Sequence, residues 1–533
     1  MAPELSDRRP VEPKARDGEG HIDGVLAPEF LRSRIEASPD KPFVCFGDGV
    51  WSYARFGQQV DWTARGLRRF GVTPGDRVAL FLPNAPEFLF VWFALTCLRA
   101  IAVPINPAFR PGEAAYPLAH SEPSLVVAAE ELRETLEAAM AEARVHCPVV
   151  WVGGRGLPLD GSGTERVDSL AAPEDVACLI YTSGTTGPPK AVMQPQQNYV
   201  LTGEGFARWL RLTPADRIMT PLPLFHINAQ AYSTMGALAV GASLILLERF
   251  SLSRFWEQAR RHRATEINLI GSMLSMLWKQ PPSPHDRDHQ VRLLYAAPVP
   301  KEVGPEFEAR FGVTVIQGFG MSECTYGLIQ SLDGPRKPGS MGRPRELPER
   351  GIRNEVRTAD GEGRDCPPGV PGELIIRNPV MMLGYYKNPE LTREALRDGW
   401  LRTGDLAYRD AEGEFFYVGR KKEMIRRRGE NISPAEVEAV LNRHPAVREA
   451  AVIGVPSEFS EDDVVACVVL KEPGGVTAEE LRSLCAAELA PFKVPKEIHF
   501  LPALPKTPTQ RVKKEALRAA YPRFQTLEAR AER

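Results

Sequence analysis

The chain has 533 residues, which is more than one compact domain usually holds. Hydrophobic residues make up 43% and charged residues 25% of the sequence, which excludes a fibrous or wholly disordered chain. The 66 basic and 68 acidic residues nearly cancel, so the composition gives no global attraction for nucleic acid. We therefore expect a globular protein of at least two domains without a nucleic-acid partner.

Cysteine usage and hydropathy favour a cytoplasmic protein. The eight cysteines stand singly and form no C-x-x-C pair, which favours buried thiols in a reducing compartment over disulfides or a zinc site. Residues 1–21 are charged and proline-rich and lack the apolar region of a secretory signal, so we expect a flexible tail. The most apolar early stretch, Phe88 to Leu98, is too short to span a bilayer.

Short apolar runs alternate with helical stretches in the first part of the chain. Residues 77–82 and 102–105 have the pattern of strands, and Leu89 to Leu98 that of a buried helix. Further strand-like runs are residues 124–128, 176–181, 243–247, 266–270 and 291–295. This alternation predicts βαβ units, so we expect an α/β fold whose large N-terminal domain contains parallel or mixed sheets with helices.

The character of the sequence changes near residue 420, which predicts a domain boundary. A strand-like run, Gly413 to Val418, leads into a basic segment, beyond which about 110 residues have a compact α+β pattern. Ser433 is predicted to cap a helix there, because Pro434 follows it and Glu436 stands three residues on, in capping-box spacing. We expect a large domain over residues 22–421 and a small one over 422–533.

The segment with the clearest chemical meaning is Tyr181-Thr-Ser-Gly-Thr-Thr-Gly-Pro-Pro-Lys190, which follows an apolar strand. Its glycines let backbone N–H groups turn toward a ligand, and its hydroxyls are donors suited to phosphate oxygens. The spacing differs from the Walker loop, and the two prolines oppose an immediate helix. The segment predicts a phosphate-binding loop.

This segment resembles the phosphate loop of the adenylate-forming superfamily, which includes acyl-CoA synthetases, peptide-synthetase adenylation domains and luciferases. Other family motifs follow in the right order over about residues 27–518: Val103-Pro-Ile-Asn-Pro107, Pro223-Leu-Phe-His226, Gln317-Gly-Phe-Gly-Met-Ser-Glu323, Gly372-Glu-Leu374, Val380-Met-Met-Leu-Gly-Tyr-Tyr386, Gly399-Trp-Leu-Arg-Thr-Gly-Asp405, Gly419-Arg-Lys-Lys422 and Gly429-Glu-Asn-Ile-Ser-Pro434. The resemblance implies an acid–thiol ligase. In such an enzyme, ATP and a carboxylic acid give acyl-AMP and pyrophosphate, and a thiol then displaces AMP. CoA and Mg²⁺ are the expected partners of the nucleotide, and the absence of a carrier domain after residue 518 favours CoA over a carrier protein.

The resemblance also implies which residues form the site. The β- and γ-phosphates are expected to bind Thr182, Ser183, Gly184, Thr185, Thr186, Gly187 and Lys190. Adenine is expected beside Ala296, Ala297, Pro298 and Phe319, where the family usually has tyrosine in place of the phenylalanine. The remaining nucleotide-binding set is Gly320, Met321, Ser322 near the α-phosphate, Asp405 and Arg420 on the ribose, Tyr417 and Gly429. Glu323 is expected to support Mg²⁺, and His226 to stand as an aromatic gate beside an acyl pocket formed around His226, Ser272 and Gly318.

The C-terminal motif departs from the family. The family reads P-K-T-x-S/T-G-K-I/V, whereas this chain has Pro505-Lys-Thr-Pro-Thr-Gln-Arg-Val512, so Arg511 stands where the family has the lysine on which adenylation depends. A planar, forked guanidinium is not equivalent to a compact ammonium at a point-charge site. Lys513 would face the same side as Arg511 if the segment is extended. Arg511 and Lys513 are therefore the candidates for the catalytic cation.

The resemblance further implies that the small domain is mobile and rotates about a hinge at Lys422 between the two half-reactions. The Arg511 loop approaches the site for adenylation, and the Gly429 loop approaches it for thioester formation. Three hypotheses follow. The chain is a complete acyl-CoA synthetase, or it mainly transfers acyl groups to CoA from acyl-AMP that a separate adenylating enzyme supplies, or it binds nucleotide or acyl groups without turnover. The retained phosphate loop, Glu323 and Asp405 argue against the third.

Overall fold

The computed structural model describes residues 26–154, 156–182, 189–427, 430–457, 462–507 and 511–531. The predicted tail, the phosphate-loop residues Ser183, Gly184, Thr185, Thr186 and Gly187, and Gly429 lie outside the described residues.

The strands of the described residues begin with those of the predicted large domain. In chain order they are β1 Pro42–Phe46, β2 Gly49–Ser52, β3 Arg77–Phe81, β4 Ile101–Pro104, β5 Leu125–Ala129, β6 Val149–Val152, β7 Val176–Thr182, β8 Lys190–Pro195, β9 Arg217–Thr220, β10 Ser243–Leu246, β11 Glu266–Ile270, β12 Leu293–Ala297 and β13 Thr314–Met321. The chain continues with β14 Cys324–Ile329, β15 Ser340–Pro344, β16 Glu355–Ala359, β17 Gly372–Arg377, β18 Leu396–Arg397, β19 Trp400–Arg409, β20 Phe415–Arg420, β21 Ile425–Arg427, β22 Glu430–Ile432, β23 Val447–Pro456, β24 Asp462–Leu470 and β25 Glu497–Phe500.

Helices connect most of these strands. They are α1 Ala27–Ala37, α2 Tyr53–Arg69, α3 Pro86–Cys97, α4 Pro111–Ser121, α5 Arg133–Ala143, α6 Gln196–Trp209, α7 Met235–Val240, α8 Phe255–Arg261, α9 Gly271–Trp278, α10 Val303–Phe311, α11 Pro389–Ala395, α12 Pro434–Arg443, α13 Ala478–Glu488 and α14 Lys514–Ala531. A π-helix, Asn228–Thr234, precedes α7. Short 3₁₀ turns occupy Glu130–Leu132, Pro348–Arg350 and Pro491–Lys493.

Two large sheets form the N-terminal part of the molecule. One has the order β6-β5-β3-β4-β7-β8 and is parallel except for the last pair. The other has the order β16-β17-β19-β20-β15-β14-β13-β12-β11-β9-β10-β1-β2, with β18 paired to β19. It is parallel from β13 to β1 and antiparallel from β13 to β16. The predicted α/β class with parallel and mixed sheets is confirmed.

One apolar cluster joins these two sheets. It contains Val78 and Leu80 of one sheet, Leu244 and Ile245 of the other, and most of α3. Every residue of α3 except Glu87 is buried, which is why its sequence is apolar on nearly every face. The buried helix predicted from residues 89–98 is therefore present at Pro86–Cys97.

The C-terminal residues form their own apolar clusters. The sheet β23-β24-β25 has one cluster that includes Val437 and Leu481 of its helices, and a second that includes Leu504 and Leu517. These residues bury apolar surface on both faces of a small mixed sheet, in agreement with the predicted α+β pattern. The boundary at residue 421 and the mobility of this part stay predictions.

The predicted cap at Ser433 is wrong in its chemistry. Helix α12 begins at Pro434 as expected, but the Ser433 side chain makes no capping hydrogen bond. Its Oγ instead donates to the carbonyl oxygen of Val418 on β20. The hydroxyl thus ties the start of α12 to the neighbouring strand, a contact between distant residues that capping-box spacing cannot reveal.

All eight cysteines are free thiols, and seven of them are buried. Within the described residues, no helix is long and apolar enough to cross a membrane.

A buried carboxyl on β11 carries an electrostatic cost. Glu266 is 0% exposed, and neither of its carboxyl oxygens has a hydrogen-bond partner among the described residues. Burial raises its pKa well above the ordinary value, and the nearby charge of Asp216 raises it further, while Arg292 opposes this. Because the folded pKa lies above the unfolded one, the stability that this proton contributes is complete below the unfolded pKa of about 4.3 and is lost as the pH rises toward the folded pKa.

We therefore expect Glu266→Gln to be more stable than wild type at pH 8 and to differ less from it at pH 5, because glutamine cannot ionise. One proton corresponds to roughly 1.4 kcal/mol per pH unit over the window between the two pKa values. Denaturant midpoints at pH 5, 6.5 and 8 measure the effect, with Glu257→Gln on the exposed face of α8 as the matched control. An unchanged pH dependence in Glu266→Gln would contradict the assignment.

Candidate active site

The two ends of the predicted phosphate loop stand opposite each other. Thr182 at the end of β7 is paired with Lys190 at the start of β8. The Lys190 ammonium lies 5.2 Å from the centre of the Tyr385 ring, and the Tyr385 hydroxyl donates to Glu323 Oε1 at 2.8 Å. Burial lowers the pKa of Lys190, and the Glu323 charge opposes this. One tyrosine therefore holds the predicted phosphate lysine and the predicted magnesium carboxylate on either side of it.

The predicted adenine loop, Ala296 to Pro298, lies beside the second nucleotide motif, Gln317 to Glu323. The two are adjacent because β12 and β13 run parallel, with Ala296 opposite Gln317. The backbone N–H of Val299 donates to Gln317 Oε1 at 2.8 Å, which fixes the end of the loop. Gln194 of β8 donates to the carbonyl oxygen of Ser322. The exposed surface of this region is contributed by Ala297, Pro298, Phe319, Gly320, Met321 and Ser322, whereas Ala296 and Glu323 are buried.

Asp405 is the most buried charged group of the predicted site. It is 2% exposed and stands opposite Arg420 in the β19–β20 pair, where Arg420 Nε lies 2.8 Å from Asp405 Oδ1. The Tyr417 hydroxyl donates to the same oxygen at 3.4 Å. The other oxygen, Oδ2, is buried and has no hydrogen-bond partner among the described residues. Burial raises the pKa of Asp405 to about 6, although the charges of Arg420 and Arg511 lower it.

Arg511 and Lys513 reach different partners. The Thr507 N–H donates to the carbonyl oxygen of Arg511 at 2.6 Å, and the Arg511 N–H donates to Thr507 Oγ1 at 3.1 Å. The Arg511 charge lowers the pKa of Asp405 and of Tyr417. Lys513 Nζ instead lies 3.8 Å from Glu113 Oε1 on α4. Of the two candidate cations, Arg511 is among the largest influences on the pKa of Asp405.

The predicted hinge lies in the turn that follows β20. Lys421 donates its backbone N–H to the carbonyl oxygen of Gly404 at 2.9 Å and its ammonium to Glu373 Oε2 at 3.0 Å. The next residue, Lys422, is exposed and close enough for its charge to lower the pKa of Lys190. The turn is therefore anchored on its N-terminal side, directly before Lys422.

His226 stands at the entrance to the π-helix. Its ring packs 4.4 Å from that of Phe225, and its Nε2 is buried without a partner among the described residues. Burial lowers the pKa of His226 to about 4, so the ring is neutral near pH 7. Asn228, two residues on, likewise has a buried Oδ1 without a described partner.

These residues fit the expected cofactors. Asp405 Oδ2 is an unsatisfied buried acceptor, which suits a sugar hydroxyl. Among the described residues no cluster of three or more metal-ligating side chains occurs. Glu323 is the single carboxylate that the family resemblance implies for Mg²⁺. That is compatible with Mg²⁺, which is commonly held by one or two carboxylates together with substrate phosphates.

The similarity to known proteins covers almost the whole chain. A family model described as AMP-binding enzyme matches residues 31–386, and one described as AMP-binding enzyme C-terminal domain matches residues 436–511. The chain belongs to the AMP-binding enzyme family. A sulfoacetate–CoA ligase of Cupriavidus necator is 36% identical over 494 residues, which cover 91% of this chain and 96% of that protein.

Other relatives extend this similarity. A crotonobetaine/carnitine–CoA ligase of Salmonella typhimurium is 32% identical over 486 residues, covering 88% of this chain and 93% of that protein. Among solved structures, an anthranilate CoA ligase in complex with anthranoyl-AMP has a TM-score of 0.84 at 26% identity, covering 93% of this chain and 97% of that one. This AMP-binding enzyme is thus an acyl-CoA ligase of the adenylate-forming superfamily, and ATP or AMP is its nucleotide.

Sequence reasoning missed two residues that support the candidate site. Tyr385 contacts both Lys190 and Glu323, and Glu373 pairs with Lys421 beside the predicted hinge. Both residues lie within family motifs, but the motifs alone do not indicate these contacts. The contacts join residues that are distant in sequence, so a local pattern does not predict them.

The titration of Asp405 tests the reach of Arg511. Because burial raises the folded pKa to about 6 from 3.8, the carboxyl contributes stability at low pH that is lost as the pH rises through 6. Wild type is therefore expected to lose roughly 3 kcal/mol in total relative to Asp405→Asn as the pH rises from below 3.8 to about 8, with most of the loss between the two pKa values. In an Arg511→Gln background the loss should continue to higher pH, since a charge that lowers the pKa is gone.

Unfolding free energies from pH 4 to 8 measure these differences. The Lys513→Gln background is the matched control and should leave the pH profile unchanged, because Lys513 faces Glu113. A profile that is the same in the Arg511→Gln and Lys513→Gln backgrounds would show that Arg511 does not reach Asp405 in solution.

Proposed function

We propose that this chain catalyses the ATP-dependent formation of a CoA thioester from a carboxylic acid through an acyl-AMP intermediate, with Arg511 as the cation of the adenylation half-reaction. The observation that supports the proposal is that the Arg511 charge lowers the pKa of Asp405, whose Oδ2 is buried and has no partner among the described residues. We expect Asp405 to bind the ribose, so a cation whose charge acts on Asp405 is expected near the α-phosphate. Lys513 Nζ instead lies 3.8 Å from Glu113 Oε1.

In the adenylation step, a carboxylate oxygen of the acid attacks the α-phosphorus of ATP, and the bond to pyrophosphate breaks. Negative charge grows on the α-phosphate and on the leaving group, so fixed cations and donors lower the barrier. Lys190 binds the leaving phosphates, Ser322 donates to the α-phosphate, and Asp405 accepts from the ribose. A magnesium ion supported by Glu323 would neutralise phosphate charge when bound.

In the second step, the thiolate of CoA attacks the acyl carbonyl, and AMP leaves. Arg511 must then withdraw so that the thiol can approach. We assign this movement to rotation of residues 422–533 about Lys422, with residues 22–421 as the stationary domain. Rotation about a single residue is physically economical here because Lys421 stays anchored to Gly404 and Glu373.

Adenylation is expected to be the slower half-reaction. A lysine ammonium is a compact point charge, whereas the arginine charge is spread over a larger planar group that cannot approach both oxygens as closely. The chain therefore retains the whole sequence of steps with a weakened first step, and acyl-AMP supplied from outside bypasses that step. The acids in the names of its relatives, among them sulfoacetate and carnitine, belong to the panel for testing.

The main test compares two assays on the same acids. Arg511→Lys should raise acid-dependent ATP–pyrophosphate exchange about tenfold or more, because one well-placed charge is worth roughly 2.7–4 kcal/mol in a transition state. Arg511→Gln should abolish exchange. Thioester formation from supplied acyl-AMP and CoA should scarcely change in either variant.

Lys513→Gln is the matched control, and both assays should leave it close to wild type. Loss of exchange in Lys513→Gln with retention in Arg511→Gln would move the catalytic charge to Lys513 and overturn the assignment. Equal loss of both half-reactions in Arg511→Gln would also count against it.

The hinge is tested separately. Lys422→Pro fixes φ and removes the backbone N–H, so it should suppress one half-reaction at least tenfold more than the other. Lys422→Ala removes the same side chain without restricting φ and should keep the ratio of the two rates near wild type. A proportional loss of both rates in Lys422→Pro, with folding intact, would place the hinge elsewhere.

A further inference from the structure

A completely buried arginine packs against Gly318 of the second nucleotide motif. Arg345 is 0% exposed, and among the described residues no carboxylate pairs with it. Its guanidinium lies 5.0 Å from the ring centre of Trp209, 5.2 Å from that of Tyr232 and 5.5 Å from that of Tyr295. The chain's own cation thus fills an aromatic cage.

The hydrogen bonds of Arg345 go to neutral acceptors only. Nε donates to the carbonyl oxygen of Leu328 at 2.7 Å, and Nη1 donates at 2.9 Å to both Tyr232 Oη and the carbonyl oxygen of Thr325. Nη2 donates to Tyr295 Oη. Four of the five guanidinium hydrogens are therefore used. One Nη2 hydrogen and the hydroxyl hydrogen of Tyr295 have no acceptor within the described part of the chain.

These two donors meet at Gly318. A Cβ atom added there would collide with Arg345 Nη2 and Tyr295 Oη, and one added at Gly320 would lie 2.6 Å from Tyr232 Oη. The same face of β13 is therefore lined by the guanidinium and two phenols, immediately before Met321 and Ser322. By the family resemblance, Gly318 borders the acyl pocket.

A buried cation without an anion is electrostatically costly, and aromatic rings and carbonyl dipoles offset only part of that cost. An anion brought by the substrate would complete the balance. A quaternary ammonium group on the substrate would be repelled by Arg345, which already occupies the aromatic cage that could otherwise bind such a cation. The unpaired atoms His226 Nε2 and Asn228 Oδ1 also favour a polar acyl group over a hydrocarbon chain.

We propose that Arg345 and Tyr295 determine which acid is used, and that the substrate is a short carboxylic acid with a second anionic group, a carboxylate or sulfonate, at its far end. The inference rests on the proposed function, since it concerns the acid of that same reaction. The acid must be short because Tyr232, Tyr295 and Arg345 occupy the space next to Gly318 and Gly320.

Three acids of the same shape isolate the charge of the far end: sulfoacetate is anionic, 3,3-dimethylbutyrate is neutral and trimethylammonioacetate is cationic. Malonate and malonamate make a second pair. Wild type should prefer the anionic member by about 10- to 100-fold in kcat/KM for pyrophosphate exchange, as expected for a hydrogen bond to a charged group, and should use the cationic member least.

Binding of the three matching 5′-O-(N-acylsulfamoyl)adenosines, measured by calorimetry, gives the same preference without turnover. If no acid supports exchange but the anionic analogue binds best, the proposed function fails and this inference stands. Equal or reversed preference in either assay overturns the inference while the proposed function stands. Failure of all three analogues to bind overturns both.

Arg345→Met keeps a buried chain of similar length without charge and should bring the kcat/KM values for the anionic and neutral acids within about threefold of each other. Tyr295→Phe removes only the hydroxyl and should reduce the preference about three- to tenfold through KM, which keeps the test available if Arg345→Met does not fold.

Arg345→Lys should restore part of the preference. Arg343→Met, at an exposed position two residues away, is the matched control. An unchanged preference in Tyr295→Phe and in folded Arg345→Met would overturn the assignment.

Discussion

The burial of Asp405 is the constraint on which the arrangement of the site depends. A carboxylate that is 2% exposed remains an anion near neutral pH only when cations stand close to it. Arg420 supplies one from the adjacent strand, and Arg511 supplies another from the C-terminal residues. The attraction between Arg511 and Asp405 that lowers this pKa also favours the observed arrangement of the C-terminal residues. The same carboxylate is the one that we propose for the ribose.

Much of the fold follows from local sequence, because strands that are buried on both faces are continuous apolar runs. The run at residues 266–270 gives β11 without error, whereas the run at 291–295 is displaced by two residues from β12. The order of strands in the sheets cannot be predicted in this way, because it depends on pairings between distant residues that a local pattern does not encode. The hydrogen bond from Ser433 to Val418, which replaces the predicted cap, also joins distant residues.

In the candidate site, too, local motifs predict some residues and tertiary contacts determine others. Motif resemblance located Lys190, Glu323 and Asp405, but it gave no indication of Arg345, because a buried arginine has no sequence signature. Arg343 and Arg345 stand two residues apart in Gly342-Arg-Pro-Arg345, and the first is exposed while the second is completely buried. Only tertiary contacts with Trp209, Tyr232 and Tyr295 distinguish them. Charge patterns in the sequence therefore cannot separate a solvated arginine from one that acts inside the protein.

The two arginines on which the proposals rest share the guanidinium group, but Arg345 is completely buried and Arg511 is exposed. A guanidinium is weakly hydrated and stacks on aromatic rings, so it tolerates complete burial at position 345 better than an ammonium would. At position 511 it is exposed, and by the family resemblance its planar fork stands where a lysine is usual. An acid with two negative groups, as proposed, would be held at its far end by Arg345 and would still bring a carboxylate up to a polyanionic nucleotide. A forked cation that bonds to the carboxylate and the α-phosphate together offsets that repulsion over two contacts. On this argument, a substrate of higher charge reduces the disadvantage of arginine at the adenylation position.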